Sequence, residues 1–375
     1  MADESVKTVA EVASPEAQRK AEEASAEAQR NAEKERRSFA NLGGWAVDFM
    51  GTSPPPRRVL LARSVTRNGS EVAVDAGAAW MPAGRLCLLA SPGGKGKTAV
   101  LLHLAGHVAA GARWCGLEVV SPGAVALVVG EEDRDECNRR LCDVWADMPE
   151  EQRRRAASRT LVLPLAGTGD NRLVNEDPAT RTAVKSERAS ELLAYLKAEG
   201  EKAGGFALVV VDPFARFAGM NAEADNASAT STMTVLEELT GLPGKPTVLV
   251  AHHTKKRGKD DGGADLAELI RGSSAIKDAA RWAALLEADD PDESGNGRAV
   301  LRVAKSNYTS TAYAVELVTR YGIPKSGKVR SVRELNAEAA EERKADKATK
   351  SSKAVDALQA GAQTNEKRIG DVKGT

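Results

Sequence analysis

The absences in this chain set the first limits. Cysteine is scarce, with Cys87, Cys115, Cys137 and Cys142 alone among 375 residues, and no two of them stand in a C-x-x-C spacing. That excludes a zinc ribbon or a disulfide framework and leaves reduced thiols as the expectation, two of them in strand and helix surroundings typical of a core. A dominant charge is also missing, because 53 basic residues balance 53 acidic ones. No overall field draws the chain to nucleic acid or to a membrane surface, so an anionic partner needs a local basic patch. No apolar run approaches the roughly 18 residues of a membrane span. The first residues are charged where a signal peptide would carry its apolar segment. The expectation is a soluble, cytoplasmic protein with no membrane contact. Internal repeats are absent too.

What remains is enough for one large α/β domain, given the length and a hydrophobic content of 42%. Residues 1–42 are rich in Ala, Glu, Lys and Arg and offer no apolar stripe to bury, so a solvated, fraying helix or disorder is expected there. Residues 43–332 have the composition of a folded domain, and 333–375 return to a charged tail. Pro54-Pro-Pro56 and Arg57-Arg58 make a stiff entry, after which Val59–Ala62 reads as an edge strand.

The stretch Leu86-Cys-Leu-Leu-Ala-Ser-Pro-Gly-Gly-Lys-Gly-Lys-Thr98 organises the domain. An apolar strand breaks into glycines and then opens a helical run of Ala, Leu and Val. Strand, glycine loop and helix in that order form a phosphate cradle. Backbone N–H groups curl round a polyphosphate, Lys97 reaches the β- and γ-phosphates, and the Thr98 hydroxyl sits on Mg²⁺. Gly93, Gly94, Lys95, Gly96, Lys97, Thr98 and Ala99 are the expected nucleotide-binding residues, with ATP and Mg²⁺ as ligands. One departure from G-x-x-x-x-G-K-[ST] is Ser91 in place of the first glycine, which is expected to strain the first bend slightly.

Buried strands alternate with helices along the following chain, at Ala124–Val129, Leu161–Leu163, Phe206–Asp212 and Pro246–Ala251. That alternation implies a mainly parallel sheet with helices on both faces. A polar segment from Met220 to Ser231 is expected to precede a helix ending near Gly241. Beyond Gly272, Trp282–Leu286, Ala299–Ala304 and Ala312–Leu317 read as antiparallel strands extending one edge.

In a parallel sheet ligands lie outside the carboxyl ends of the strands, and several chemical groups stand at such ends. Asp212 follows five apolar residues and suits a Mg²⁺ ligand beside Thr98. Glu131 and Glu132 close the strand after the loop helix and are candidates to orient water. His252 and His253 close the strand after that of Asp212. Adjacent strand residues point to opposite faces, so no more than one of the pair is expected to reach the nucleotide.

Taken in order, the loop Ser91–Thr98, Gly130-Glu-Glu-Asp133, Val211-Asp-Pro-Phe-Ala-Arg-Phe217, His252-His253, and Arg271-Gly-Ser-Ser-Ala-Ile276 with Asp278 and Arg281-Trp282 resemble the RepA-type hexameric replicative helicases of the RecA/DnaB-like P-loop ATPase superfamily. The likeness spans about Pro54 to Leu317. It implies a RecA-like core, a homo-oligomeric ring with nucleotide between subunits, and single-stranded DNA and replication proteins as partners.

The match implies, residue by residue, Lys97 and Thr98 on phosphate and metal, Glu132 activating water, Asp212 on Mg²⁺ and His253 sensing the γ-phosphate. It also implies an arginine lent by the neighbouring subunit, for which Arg281 fits better than Arg271. Lys255, Lys256, Arg257 and Lys259, in the loop after His253, would track the phosphates of single-stranded DNA. A recombination-type ATPase filament on DNA and a nucleotide-switched loader without turnover share the same core and remain alternatives.

Overall fold

The computed structural model describes residues 46–51, 53–69, 71–220, 222–254 and 266–342, with a few further positions up to 349. The N-terminal tail and the loop carrying Lys255, Lys256, Arg257 and Lys259 lie outside the described residues. The chain divides into two compact units at Arg57/Arg58. The described part of the first unit includes the short helix Ala46–Met50.

The second unit is built on a nine-stranded sheet. Its strands are β1 (Leu86–Ser91), β2 (Ala124–Val129), β3 (Thr160–Pro164), β4 (Phe206–Asp212), β5 (Thr247–His253), β6 (Trp282–Ala288), β7 (Asn296–Ser306), β8 (Tyr313–Arg320) and β9 (Ile323–Ser331). The spatial order is β9-β8-β7-β6-β1-β5-β4-β2-β3. Pairing is parallel from β6 through to β3 and antiparallel from β6 out to β9. This is a mainly parallel α/β sheet with an antiparallel extension on one side.

The continuous apolar runs follow from the layering. Cys87 and Leu89 of β1 and Leu208 and Val210 of β4 face one core, while Leu86, Leu88, Val209 and Val211 face a second. Both faces of the central strands are dry, so every position must be apolar. The first core is covered by α1 (Lys97–Ala110), α2 (Arg134–Trp145) and α3 (Glu150–Ser158); the second by α4 (Glu187–Lys202) and α5 (Asn226–Glu238). Asp133, Ser186 and Asp225 cap α2, α4 and α5 by accepting backbone N–H groups, which satisfies donors the first helical turn leaves open.

Three of the few aromatics meet in the first core. The Trp282 indole donates to the Trp80 carbonyl at 2.9 Å with its ring edge-on to Trp80, and Trp114 donates to His103 Nδ1 at 2.9 Å. Trp80 and Trp114 also lie within ring-contact range of each other.

The structure corrects several expectations. Val59–Ala62 is the middle strand of a separate three-stranded sheet, between Ala79–Pro82 and Glu118–Val119. Trp282–Ala288 is antiparallel only to β7; toward β1 it is parallel, because the crossover from β5 returns it to the same direction. The helix expected after Ser231 begins at Asn226, since the Asp225 side chain caps it. Strand β9 adds to the expected set, and residues 332–342 continue as helix with Leu335 buried.

One packing contact gives a direct test. A Cβ at Gly106, on α1, would collide with the Trp145 indole, whose N–H is committed to the Leu102 carbonyl at 2.9 Å. Gly→Ala within a helix ordinarily stabilises by roughly 0.5–1 kcal/mol, yet overpacking here costs roughly 1–3 kcal/mol. Gly106→Ala is expected to lower stability in urea denaturation; a gain would show that Trp145 is free to move.

Candidate nucleotide site

Register brings the strand ends to one rim. Ser91 pairs with His253 across β1 and β5, and Asp212 pairs with Val129 across β4 and β2. Because β5 lies between β1 and β4, the phosphate loop, His253 and Asp212 stand side by side although far apart in the chain. A cleft of about 700 Å³ opens there, lined by the whole loop from Pro92 to Thr98 and by Ala99, Glu131, Glu132, Asp212 and His253.

Within the loop, Gly94 and Gly96 hold positive φ of 73° and 78°. A Cβ at Gly96 would also sit 2.8 Å from the Gly322 carbonyl oxygen, so both backbone angle and space demand glycine there. Ser91 causes no strain. It is the last residue of β1, fully buried, and its hydroxyl donates to the Pro92 carbonyl at 3.0 Å. An extended position needs no glycine.

Lys97 and Thr98 open α1. The Thr98 hydroxyl donates to Asp212 Oδ2 at 2.7 Å, and Lys97 Nζ donates to the His252 carbonyl at 3.1 Å. Burial pushes the Lys97 ammonium below its usual range, against the pull of Asp212 and Glu131. Burial pushes the Asp212 carboxyl up, opposed by the Thr98 hydrogen bond and by Lys97. A buried carboxylate touching a hydroxyl at the foot of a glycine loop is a donor set suited to a hard cation with oxygen ligands.

The two glutamates differ. Glu131 is half exposed and pairs with Arg216 at 3.1 Å. Glu132 is more enclosed, pairs with Arg140 at 2.8 Å, and has its pKa raised chiefly by burial. The histidines divide as alternation requires. His252 is buried, T-stacked on Phe214, with Nε2 donating to the Arg271 carbonyl at 2.8 Å and Nδ1 without a partner; burial lowers its pKa to about 4. His253 lines the cleft, and burial, with Lys97 next, lowers its pKa.

Arg281 is not in this cleft. Its backbone N–H donates to the Leu86 carbonyl at 2.9 Å, at the opposite end of β1 from Ser91. The length of that strand separates the two ends by roughly 16 Å. The chain's own Lys97 and Arg281 therefore face different rims, and the side chain of Arg281 is exposed.

Some wall residues carry no mark in the motifs. Arg140, Asp289, Asp290, Tyr321 and Gly322 all line the cleft. Asp290 binds Lys95 at 2.6 Å, and Tyr321 is an exposed aromatic in a left-handed turn with φ 52°. Arg140 does have a signal, standing at helical spacing from Glu136, which it binds at 2.9 Å. Tyr321 and Asp290 have none, because they reach the loop through turns of the antiparallel extension.

The profile of the family described as "AAA domain" matches residues 34–259, more than half of the chain, and the chain belongs to that family of ATPase domains. Among solved structures it is similar to one described as an ATPase domain, with 16% identity, a TM-score of 0.45, and coverage of 64% of this chain and 84% of that chain. No helix among the described residues is long and apolar enough to cross a membrane.

The raised Asp212 pKa has a consequence for stability. A carboxyl raised by folding favours the fold while protonated and loses that contribution as pH climbs through its folded value. Above the ordinary carboxyl range the cost of ionising the buried group therefore works against the fold. Asp212→Asn is expected to raise the thermal midpoint of the nucleotide-free protein at about pH 8, with the gain shrinking toward about pH 4, and to abolish stabilisation by Mg²⁺ with nucleotide. A lower midpoint at the alkaline end would contradict this.

Proposed function

We propose that the protein is an ATP-driven DNA helicase or translocase that hydrolyses ATP at the interfaces of a homo-oligomeric ring, expected to be hexameric, and moves on single-stranded DNA. The observation that carries the nucleotide part is the Thr98–Asp212 contact of 2.7 Å beside Lys97 in the cleft that Glu132 also lines. Mg²⁺, held by Thr98 and Asp212, would neutralise phosphate charge during transfer.

Lys97 would leave the His252 carbonyl for the phosphates, where its charge offsets that on the transferring group. Glu132 would accept a proton from the attacking water. The water oxygen bonds to the γ-phosphorus, the bond to the β–γ bridging oxygen breaks, and ADP and inorganic phosphate remain. His253 would contact the γ-phosphate and report its loss through β5 to the loop that follows it.

The position of Arg281 supports its use in trans, since it cannot serve its own cleft. An arginine finger supplies roughly 10³- to 10⁵-fold in rate. Lys97→Ala and Arg281→Ala are each expected to abolish most turnover, with Arg281→Ala still binding ATP. Mixing the two inactive proteins should restore a fraction of the activity, because mixed interfaces pair an intact cleft with an intact arginine. Failure to complement would remove the shared-site reading.

Lys255, Lys256, Arg257 and Lys259 would bind the DNA backbone without reading sequence, as their loop has no aromatic residue. Each phosphate neutralised on a single strand contributes about −0.7 to the slope of log K against log salt. The double variant Lys255→Ala, Lys256→Ala is expected to make that slope shallower by about 1.4; an unchanged slope would place DNA elsewhere. Stimulation of ATPase by single-stranded DNA distinguishes a motor from a loader, and closed rings by electron microscopy distinguish it from a filament.

A further inference from the structure

A second hollow, of about 600 Å³, adjoins the nucleotide cleft on the β6 side of the phosphate loop. The two share Pro92, Gly93, Lys95, His253 and Ala288 as lining residues. His253, in the position proposed for sensing the γ-phosphate, is therefore a wall common to both. The lining of the second hollow combines the basic Lys95 and Arg271 with the apolar Leu269 and Leu285.

The charge in this hollow favours an anion. Among its described lining residues the one carboxylate is Glu287, engaged with Arg302 at 3.0 Å. Lys95 and Arg271 meet Asp290 at 2.6 Å and Glu223 at 2.9 Å, in pairs whose acid or base is largely exposed and which water screens. An entering phosphate can exchange with such partners. Arg271 is also fixed in place, because its backbone N–H donates to the His253 carbonyl at 3.0 Å and its own carbonyl accepts from His252 Nε2 at 2.8 Å. Both histidines thus pin the backbone of an arginine that lines a chamber next to the cleft.

We propose that this hollow is the exit chamber for inorganic phosphate released by hydrolysis, with Arg271 as its principal anion-binding group and Lys95 as the second. The inference rests on the ATPase reading and adds a route to it. The anion leaves past His253 while ADP still fills the loop, so product release does not require the nucleotide to depart first. Arg271 in this role is a binding residue of its own chain.

The test is calorimetric titration of inorganic phosphate into the full-length protein already saturated with Mg²⁺ and ADP. Wild type is expected to take up one phosphate per chain. Arg271→Ala should weaken that uptake about tenfold or more, the scale of a lost charge-assisted hydrogen bond, while ADP affinity stays within about twofold. Arg271→Lys should retain part of the binding, and unchanged thermal midpoints would show that both variants fold. Normal ADP binding with no phosphate uptake by wild type, or equal uptake by Arg271→Ala, overturns this inference alone. Absence of ADP binding in the first step overturns the nucleotide reading and this one with it.

Discussion

The site depends on the parallel pairing of β1, β5 and β4, which holds the Thr98 hydroxyl against the Asp212 carboxylate. The two residues stand on segments separated by several further strands and helices, and no local preference brings them together. The pairing is fixed because both faces of these strands are buried in separate cores. A slip of one residue would exchange the side chains of the two faces, and Asp212 would then leave the rim. The sheet therefore sets chemical geometry through hydrophobic layering, while burial of Asp212 and Lys97 supplies the electrostatic tension that a bound cation and polyphosphate would relieve.

The antiparallel extension contributes more than an edge. Its β6–β7 turn brings Asp290 to Lys95, and its β8–β9 turn brings Gly322 against Gly96. The phosphate loop is thus enclosed by segments that follow it far along the chain. Tyr321 stands beside Gly322 with its ring over Gly295, where a Cβ would collide with it. These turns give the cleft walls that a bare phosphate loop lacks.

Much of this architecture is legible in the sequence, for identifiable reasons. Runs such as Phe206–Val211 are apolar at every position because two cores claim alternate residues, and a polar group ending such a run has only the strand's end to occupy. Asp212, Glu132 and His253 are readable for that reason. The direction of Trp282–Ala288 is not, because the apolar pattern of a strand does not encode its neighbour's polarity. Strand β9 is hidden because Pro324, Ser326 and Gly327 carry little strand preference; its pairing with β8 supplies the order instead. Asp290, Tyr321 and the clamp on Arg271 are invisible because each arises from contacts between distant segments. Ser91 misleads in the other direction, since the glycine of the usual pattern is dispensable where the chain is still a strand.

The most direct measurement is an experimental structure with Mg²⁺ and a non-hydrolysable ATP analogue. The account predicts that Lys97 Nζ leaves the His252 carbonyl for the phosphates, that Thr98 and Asp212 face the metal, and that Glu132 lies on the γ-phosphate side. Nucleotide bound outside this cleft, or Lys97 still on the His252 carbonyl with nucleotide present, would contradict it.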